Sequence, residues 1–367
     1  MINFAQLFIT SNMAKSKKKT STKSNKKFKL PLWAKITAGA AIVIVAIAAI
    51  FAAPYLTTKA QKDATLYITQ GTSNNVVADS LQSITTKEFA AKVMKLVNMS
   101  HGDLSTRQGA FNIKEGESAL SVANHLRRGA PDEVKLPIVN IRTKEDLAKR
   151  IAKRLMMTKE ELLKTLNDKD LCAKYGKTPD NITGIFLPDT YQFLWDIKPE
   201  KLVEHMAKFS DRFWNDERKQ KAQKLGLTPD EVVTLASIVE GETSKADEKG
   251  KVARLYLNRL KKNIKLQADP TVKFALQNFA LRRITFEDCS VKSPWNTYYV
   301  EGLPPGPICI PAKESIDAVL NAPEHNYIYM CAKEDFSGYH NFATTLAEHE
   351  AFAAKYHQAL REKGIRR

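Results

Sequence analysis

The sequence predicts an α+β protein with a single transmembrane helix, a small α/β subdomain and a larger mixed α+β domain. Three observations lead to this prediction. An uncharged apolar run occupies residues 36–53, and a strand-and-helix pattern occurs twice between residues 66 and 126. Beyond residue 133, helix start signals alternate with short strand patterns. The 367 residues are enough for more than one hydrophobic core.

The net charge of +17 is concentrated at the N-terminus. Residues 1–35 contain nine lysines, no arginine and no acidic residue, so that 17 − 9 leaves +8 for the rest of the chain. Such a segment cannot bury enough apolar surface to fold, and we predict a disordered basic tail in the cytoplasm. Because about half of the excess charge lies in this tail, the net charge does not favour nucleic acid as a partner.

The apolar run ITAGAAIVIVAIAAIFAA, residues 36–53, is long enough to cross the hydrocarbon core of a bilayer. Trp33 and Tyr55 bracket it as interfacial aromatics, and the lysine-rich side is expected to stay in the cytoplasm. The alternative is a cleaved signal peptide, but Phe51 would then occupy the small-residue position before a cut after Ala53. We therefore predict a single-pass anchor in the cytoplasmic (inner) membrane, with the larger part on the periplasmic or cell-wall side.

A short polar linker, residues 54–62, precedes a small domain predicted at residues 63–132. Within it, LYITQGTSNNVVADSL and FNIKEGESALSVANHL align without gaps at an offset of 45 residues. Each copy has the pattern of a short strand, a glycine turn, a serine helix start and an amphipathic helix. The second copy resembles a LysM module, a βααβ unit, and this resemblance implies binding of N-acetylglucosamine polymers. A spacer domain without a ligand is the alternative.

The larger α+β domain is predicted at residues 133–367. The segment VKLPIVNI is typical of a strand, Thr143 opens a helix, and Thr158 with Glu161 forms a capping box for the next helix. The segment IFLPDTY, residues 185–191, is predicted to be an apolar and aromatic turn. The four cysteines are not spaced as metal ligands. Either one disulfide forms among the last three of them, or they are buried free thiols. No HExxH pair occurs, and neither a metal nor another cofactor is expected.

A helix that begins at Thr228 ends in two carboxylates, Glu240 and Glu242. Residues two apart lie about 200° from each other around a helix axis, so only one of the two is expected to face a cleft. Glu242 continues the more apolar row, where desolvation raises the pKa of a carboxyl group, and we expect it to be a general acid. Glu240 is expected to orient a partner or to pair with a cation such as Lys245 or Arg254. A solvated surface charge is the alternative reading.

Five motifs follow one another in this half of the chain: LASIVEGET, VARLYLNRL, LQADPTV, NTYYVEGLPPGPI and GYHNFATTLAEH. They resemble the motifs of the MltG (YceG-like) endolytic murein transglycosylases, and the resemblance covers roughly residues 64–355. It implies a lytic transglycosylase that cleaves between N-acetylmuramic acid and N-acetylglucosamine in nascent strands, forms a 1,6-anhydromuramoyl end and stops elongation. It also implies that Glu242 is the catalytic acid. This chain has Gly241 where a lysine is frequent and Trp295 where a tyrosine is usual.

Besides Glu240, four polar residues of these motifs are candidates for substrate binding: Asn258, Gln267, Asp269 and Tyr298. Amide and phenol groups can hold the N-acetyl and hydroxyl groups of a sugar. Asp269 has a structural alternative as the N-cap of a helix with Pro270 at its first position. The expected partners are peptidoglycan glycan strands and the membrane, with cell-wall synthases as a further candidate.

The sequence is also compatible with two other functions. A muramidase-type hydrolase would need a second carboxylate near Glu242, separated from it by the width of a water molecule. A non-catalytic membrane tether would bind glycan without needing the acid at all.

Overall fold

The N-terminal apolar run forms one continuous helix. The computed structural model describes residues 31–281 and 283–364, and the chain divides into two units, Met1–Thr58 and Lys59–Arg367. In the first unit, α1 runs Leu32–Thr57 and is long and apolar enough to cross a membrane, with none of its residues buried. It extends beyond the predicted span of residues 36–53 at both ends, so it includes the beginning of the predicted linker. Most of the predicted basic tail, residues 1–30, lies outside the described residues.

The second unit begins with a small α/β module that has its own hydrophobic core. Its elements in chain order are β1 (Ala64–Ile68), α2 (Asn74–Ile84), α3 (Lys87–Met99), β2 (Gly109–Ile113) and α4 (Ala119–Arg128). β1 and β2 pair antiparallel. The predicted internal repeat is confirmed, because β1–α2 and β2–α4 are both a strand, a glycine turn and a helix. Gly71 and Gly116 have φ angles of +85° and +79° in the two turns, a conformation that favours glycine.

A second core lies between a two-stranded sheet and several helices. Its elements are β3 (Glu133–Ile138), α5 (Lys144–Ala152), α6 (Lys159–Leu166), α7 (Lys169–Lys174), β4 (Asp189–Leu194) and α8 (Pro199–Phe213). The caps predicted at Thr143 and Thr158 are confirmed. The turn predicted at residues 185–191 is wrong at its C-terminal end, because the chain enters β4 at Asp189 and pairs antiparallel with β3. Tyr191 and Phe193 are buried alternately with exposed neighbours, as a strand requires.

The third core surrounds a helix whose central residues are buried. Its elements are α9 (Asp216–Lys224), α10 (Pro229–Glu242), α11 (Ala246–Lys261), α12 (Asp269–Ala275), α13 (Phe286–Cys289), α14 (Lys313–Leu320), β5 (Tyr329–Ala332), β6 (His340–Ala343) and α15 (Leu346–Glu362). The predicted capping box at Thr228 is confirmed and starts α10. Every residue of α10 from Val232 to Val239 is buried, and α10 packs against α11, α12 and α14. The end of α10 is therefore held rigidly within the domain.

All four cysteines are free thiols, so the disulfide left open by the sequence is not formed. The described residues have a mixed α+β fold, as predicted.

Candidate active site

Glu242 is the last residue of the buried helix α10. Thr243 follows it with an extended backbone and ends the helix. A helix C-terminus carries unsatisfied carbonyl groups, so a negative charge at this position is unfavourable. The residue as a whole is partly exposed, while its carboxyl group lies against α11. Glu242 is therefore accessible to a ligand, although its charged form is poorly solvated.

Tyr256 is the direct partner of this carboxyl group. It is a buried residue of α11, and its hydroxyl group donates a hydrogen bond of 2.6 Å to Oε1 of Glu242. Burial raises the pKa of Glu242 to about 7. The bond from Tyr256 limits this rise, the negative charge of Asp269 adds to it, and the positive charge of Lys273 reduces it. The predicted upward shift is confirmed, and a carboxyl group with such a pKa can donate and accept a proton near neutral pH.

Asp269 and Tyr298 form a second pair beside Glu242. The hydroxyl group of Tyr298 donates a hydrogen bond of 2.7 Å to Oδ1 of Asp269. Burial and the charge of Asp269 raise the pKa of Tyr298 well above its ordinary value, and the charge of Glu242 contributes. The predicted N-cap role of Asp269 is wrong: the cap is Ala268, and Asp269 is the first residue of α12. The carboxylate of Asp269 is instead directed to Tyr298.

Gln267 and Asn258 hold the surrounding loops. Gln267 has a φ angle of +52°, and its side-chain oxygen accepts a hydrogen bond of 2.5 Å from the guanidinium group of Arg259. The amide of Asn258 donates to the carbonyl groups of His325 and Tyr327 at 2.7 and 3.0 Å. Both donor hydrogens of Asn258 are thus used by the protein backbone, and the structure does not bring this residue together with Glu242.

Glu240 is turned towards a different partner. Its Oε2 atom accepts a hydrogen bond from Lys249 at 2.7 Å and another from Ser315. The predicted cations are wrong, because the ammonium group of Lys245 lies over the ring of Tyr339 and Arg254 donates to backbone carbonyl groups. Lys249 is buried between α10 and α14, where its charge compensates that of Glu240.

Glu240 and Glu242 differ in their hydrogen-bond partners and not in the burial of the helix rows that lead to them. Both rows of α10 are buried, so the expected difference in surroundings between Glu240 and Glu242 is absent. Glu240 has a full positive charge beside it, whereas Glu242 has only the neutral hydroxyl group of Tyr256. Desolvation without a cationic hydrogen-bond partner is what leaves a carboxyl group with a raised pKa.

A groove with a volume of about 620 Å³ adjoins this cluster. Glu240 lines it, and Glu242 does not, contrary to the expectation that the cleft belongs to Glu242 alone. Gly241, which precedes the acid in the chain, lines the groove, and so does Lys273, whose positive charge acts on the carboxyl group of Glu242. A Cβ atom at position 241 would lie 2.6 Å from the Cβ atom of Pro270. Because α10 approaches α12 this closely, a lysine at position 241 would require Pro270 to move.

Sequence reasoning missed Tyr256, Lys249 and Lys273. Tyr256 follows Glu242 by 14 residues and lies in the motif VARLYLNRL. A tyrosine on the apolar face of a helix usually has a partner for its hydroxyl group, and that signal was available in the sequence. The other two contacts depend on how separate helices pack.

Fold and site together define a mixed α+β protein with a buried carboxylic acid at the end of a central helix, poised to transfer a proton. The profile of the YceG-like family matches residues 66–355 of this chain. The chain therefore belongs to the YceG-like family.

Several known proteins are similar to it. An endolytic murein transglycosylase from Bacillus subtilis (strain 168) is 28% identical over 271 residues, which are 70% of this chain and 74% of that protein. An endolytic murein transglycosylase from Streptococcus pneumoniae (R6) is 24% identical over 264 residues, and the chain spans 46% of its length. The crystal structure of a YceG-like protein from Listeria monocytogenes superposes with a TM-score of 0.54 at 26% identity, covering 79% of this chain and 98% of that one.

Proposed function

We propose that this protein is an endolytic murein transglycosylase, which cleaves peptidoglycan strands internally between N-acetylmuramic acid and N-acetylglucosamine. The observation that carries the proposal is the carboxyl group of Glu242, whose pKa of about 7 lets it donate and then accept a proton. Its position in the motif LASIVEGET and the names of the relatives support the same assignment.

The reaction needs one acid that acts twice. Protonated Glu242 gives its proton to the glycosidic oxygen as the bond from that oxygen to C1 of the muramoyl residue breaks. The resulting carboxylate then accepts the proton of the C6 hydroxyl group as its oxygen attacks C1. The new bond closes a 1,6-anhydromuramoyl end, Glu242 regains its proton, and no water is consumed. Release of the strand end in this form terminates elongation.

The neighbours of Glu242 suit this cycle. The Tyr256 hydroxyl group holds Oε1 and stabilises the carboxylate that exists between the two proton transfers. The carboxylate of Asp269, fixed by Tyr298, places negative charge close to Glu242. In the transition state such a charge stabilises the developing positive charge on the muramoyl C1.

Asp269 also supports a second candidate function, a muramidase-type hydrolase. It is a second carboxylate close enough to Glu242 to raise the pKa of that residue. In an inverting hydrolase a carboxylate in this role activates a water molecule that attacks C1. The product would then be a reducing end in place of an anhydro end.

We further propose the location and modular organisation. The helix α1 is long and apolar enough to serve as a single-pass anchor, and the lysine-rich segment before it favours a cytoplasmic N-terminus. The catalytic domain, residues 133–367, would then lie outside the cytoplasm, where peptidoglycan is assembled. We also propose a LysM-like role in glycan binding for residues 63–132, on the resemblance of the second repeat copy, which forms β2 and α4. Cell-wall synthases are a candidate partner at the same membrane surface.

The direct test is the variant Glu242→Gln in the full-length protein, incubated with purified glycan strands. Glutamine preserves the shape of the side chain and cannot donate a carboxylic proton, so cleavage should fall by at least about a thousandfold. Glu350→Gln, on the exposed surface of α15, is the matched control and should keep full activity. Unchanged thermal unfolding of both variants at low pH would show that the fold is intact.

The non-catalytic tether makes the opposite prediction. If glycan binding alone accounts for the role of the protein in cells, then cells that carry Glu242→Gln should have strands of normal length. Longer strands in those cells, with normal protein levels, would support the enzymatic proposal.

A further inference from the structure

More cationic than carboxylate side chains line the groove of about 620 Å³ near Glu242. Arg142, from the loop before α5, and Lys273, from α12, both line it. The guanidinium group of Arg142 lies 5.1 Å from the centre of the Phe279 ring, and within the described part of the chain neither cation forms an ion pair. Glu240 is the only carboxylate among the described lining residues, and Lys249 already compensates its charge. The groove therefore presents two cations outside any ion pair to a ligand, and the charge of Lys273 also acts on Glu242.

An uncharged sugar does not account for these cations. N-acetylglucosamine and the ring of N-acetylmuramic acid carry hydroxyl and acetamido groups, which do not need a positive partner. A muramoyl residue, however, carries a lactyl group that is linked to a short peptide, and that peptide bears free carboxylates. Arginine binds a carboxylate with two parallel hydrogen bonds, and lysine adds a point charge.

Arg142 also lines a second, smaller groove of about 200 Å³. Phe274 and Trp295 border that groove, and their ring centres are 4.7 Å apart. Aromatic side chains of this kind offer an apolar face on which a sugar ring can rest. Arg142 thus stands between an aromatic surface suited to a sugar and a cationic groove suited to an anion.

We propose that the groove lined by Arg142 and Lys273 binds the peptide carboxylates of a muramoyl residue while the neighbouring glycosidic bond lies at Glu242. This inference rests on the proposed function, because it takes the glycan strand as substrate. It deepens that function by making the enzyme selective for strands that carry charged peptides. The apolar residues Ile308 and Ile310, which also line the groove, provide a surface for the uncharged part of the peptide.

The test compares two probes that differ only in charge. The first is a set of glycan strands with free peptide carboxylates, and the second is the same strands with those carboxylates converted to amides. For the unaltered protein we expect kcat/KM to be roughly tenfold higher on the charged strands, since two exposed ion pairs together contribute about one power of ten. In Arg142→Gln the ratio of the two values should fall to about three, because Lys273 still contributes its ion pair. Lys261→Gln, an exposed lysine at the end of α11, should keep the ratio of the unaltered protein.

Lys273→Gln provides a second variant. Lys273 also influences the pKa of Glu242, so this variant is compared at about pH 5.5, where Glu242 is protonated in either protein. The ratio should again fall. A ratio near one in the unaltered protein, or an equal loss on both probes in Arg142→Gln, would overturn the proposal.

A binding experiment separates this inference from the proposed function. The inactive variant Glu242→Gln is titrated by calorimetry with soluble fragments of the same two probes. Suppose that the unaltered protein cleaves neither strand, but that the charged fragment binds about tenfold more tightly than the amidated one and that this difference depends on Arg142. The groove assignment would then be correct and the proposed function would be wrong. If cleavage occurs and binding is independent of charge, the groove assignment is wrong and the function stands.

Discussion

The hydroxyl group of Tyr256 donates a hydrogen bond of 2.6 Å to the carboxyl group of Glu242, joining the end of α10 to the middle of α11. It is the one direct side-chain hydrogen bond of Glu242 among the described residues. Desolvation disfavours the carboxylate, and the hydroxyl group moderates that effect without supplying a positive charge. Glu242 can therefore exist in both its protonated and its ionised form near neutral pH.

The pH dependence of cleavage follows from this balance. Glu242 must be protonated to begin the reaction, and its pKa is about 7. We expect kcat/KM to be highest below neutral pH and to fall about tenfold for each pH unit above 7. Rates measured between acid and alkaline pH on one glycan substrate check this. A rate that rises through this range would contradict the role of Glu242 as the initial proton donor.

Tyr256→Phe should move this pH profile in a defined direction. The hydrogen bond from Tyr256 stabilises the carboxylate and lowers the pKa of Glu242, so its removal raises that pKa. The alkaline limb should shift to higher pH, while kcat at the optimum falls by roughly tenfold because the carboxylate intermediate loses its donor. Tyr299→Phe, which alters a largely exposed tyrosine, is the matched control and should leave the limb in place. A shift of the limb to lower pH in Tyr256→Phe would exclude the proposed role of the hydroxyl group.

Glu242→Gln should change the pH dependence of stability. The folded-state pKa of Glu242 is raised from 4.5 to about 7, so the folded protein binds its proton more tightly than the unfolded chain. The stabilisation is complete below the unfolded value and is lost as the pH rises through the folded value. Relative to the unaltered protein, Glu242→Gln should therefore gain stability as the pH rises from 4.5 to above 7, by about 3 kcal/mol. Denaturant unfolding at several pH values measures this, and a constant difference would contradict the raised pKa.

The pair of Glu240 and Lys249 should contribute to stability more than to chemistry. Lys249→Met leaves the carboxylate of Glu240 without its cation, and we expect a loss of about 2 kcal/mol, since Glu240 is only partly buried. The double variant Glu240→Gln with Lys249→Met removes both charges and should recover part of that loss. Thermal unfolding of the three variants provides the measurement. Additive losses in the double variant would show that the two residues do not interact.

Asp269→Asn distinguishes the two candidate reactions. The charge of Asp269 raises the pKa of Glu242, so its removal should lower that pKa and move the alkaline limb to lower pH. A transglycosylase should still form anhydro ends, with kcat reduced by roughly tenfold through loss of the charge near C1. A hydrolase would lose almost all activity, because its base is gone. The chemical form of the residual product is the decisive readout.

The helix starts could be predicted from the sequence because their causes are local. Thr158 and Thr228 each bond a backbone N–H group three residues ahead, and the reciprocal glutamate lies within the same short segment. The strand β4 was missed because only Tyr191 and Phe193 mark its buried face. An alternation this short is easily read as a turn when it follows a proline.

The site could be predicted only in part. The raised pKa of Glu242 follows from burial at the end of an apolar helix, a feature that is visible in the sequence. The partners Tyr256 and Lys249 lie on α11. Which residues of α11 contact the end of α10 depends on how the two helices pack, and no local sequence pattern determines that packing. The sequence favoured Glu242 because its row of α10 is the more apolar one. That reason is wrong, because the row that leads to Glu240 is buried as well.

The chemical form of the strand ends shows whether Glu242 catalyses an intramolecular transglycosylation. The full-length protein and Glu242→Gln are each incubated with peptidoglycan strands in water labelled with heavy oxygen, and the products are analysed by mass spectrometry. We expect 1,6-anhydromuramoyl ends without label from the unaltered protein and no new ends from Glu242→Gln. Labelled reducing ends, or anhydro ends that persist in Glu242→Gln, would contradict this expectation.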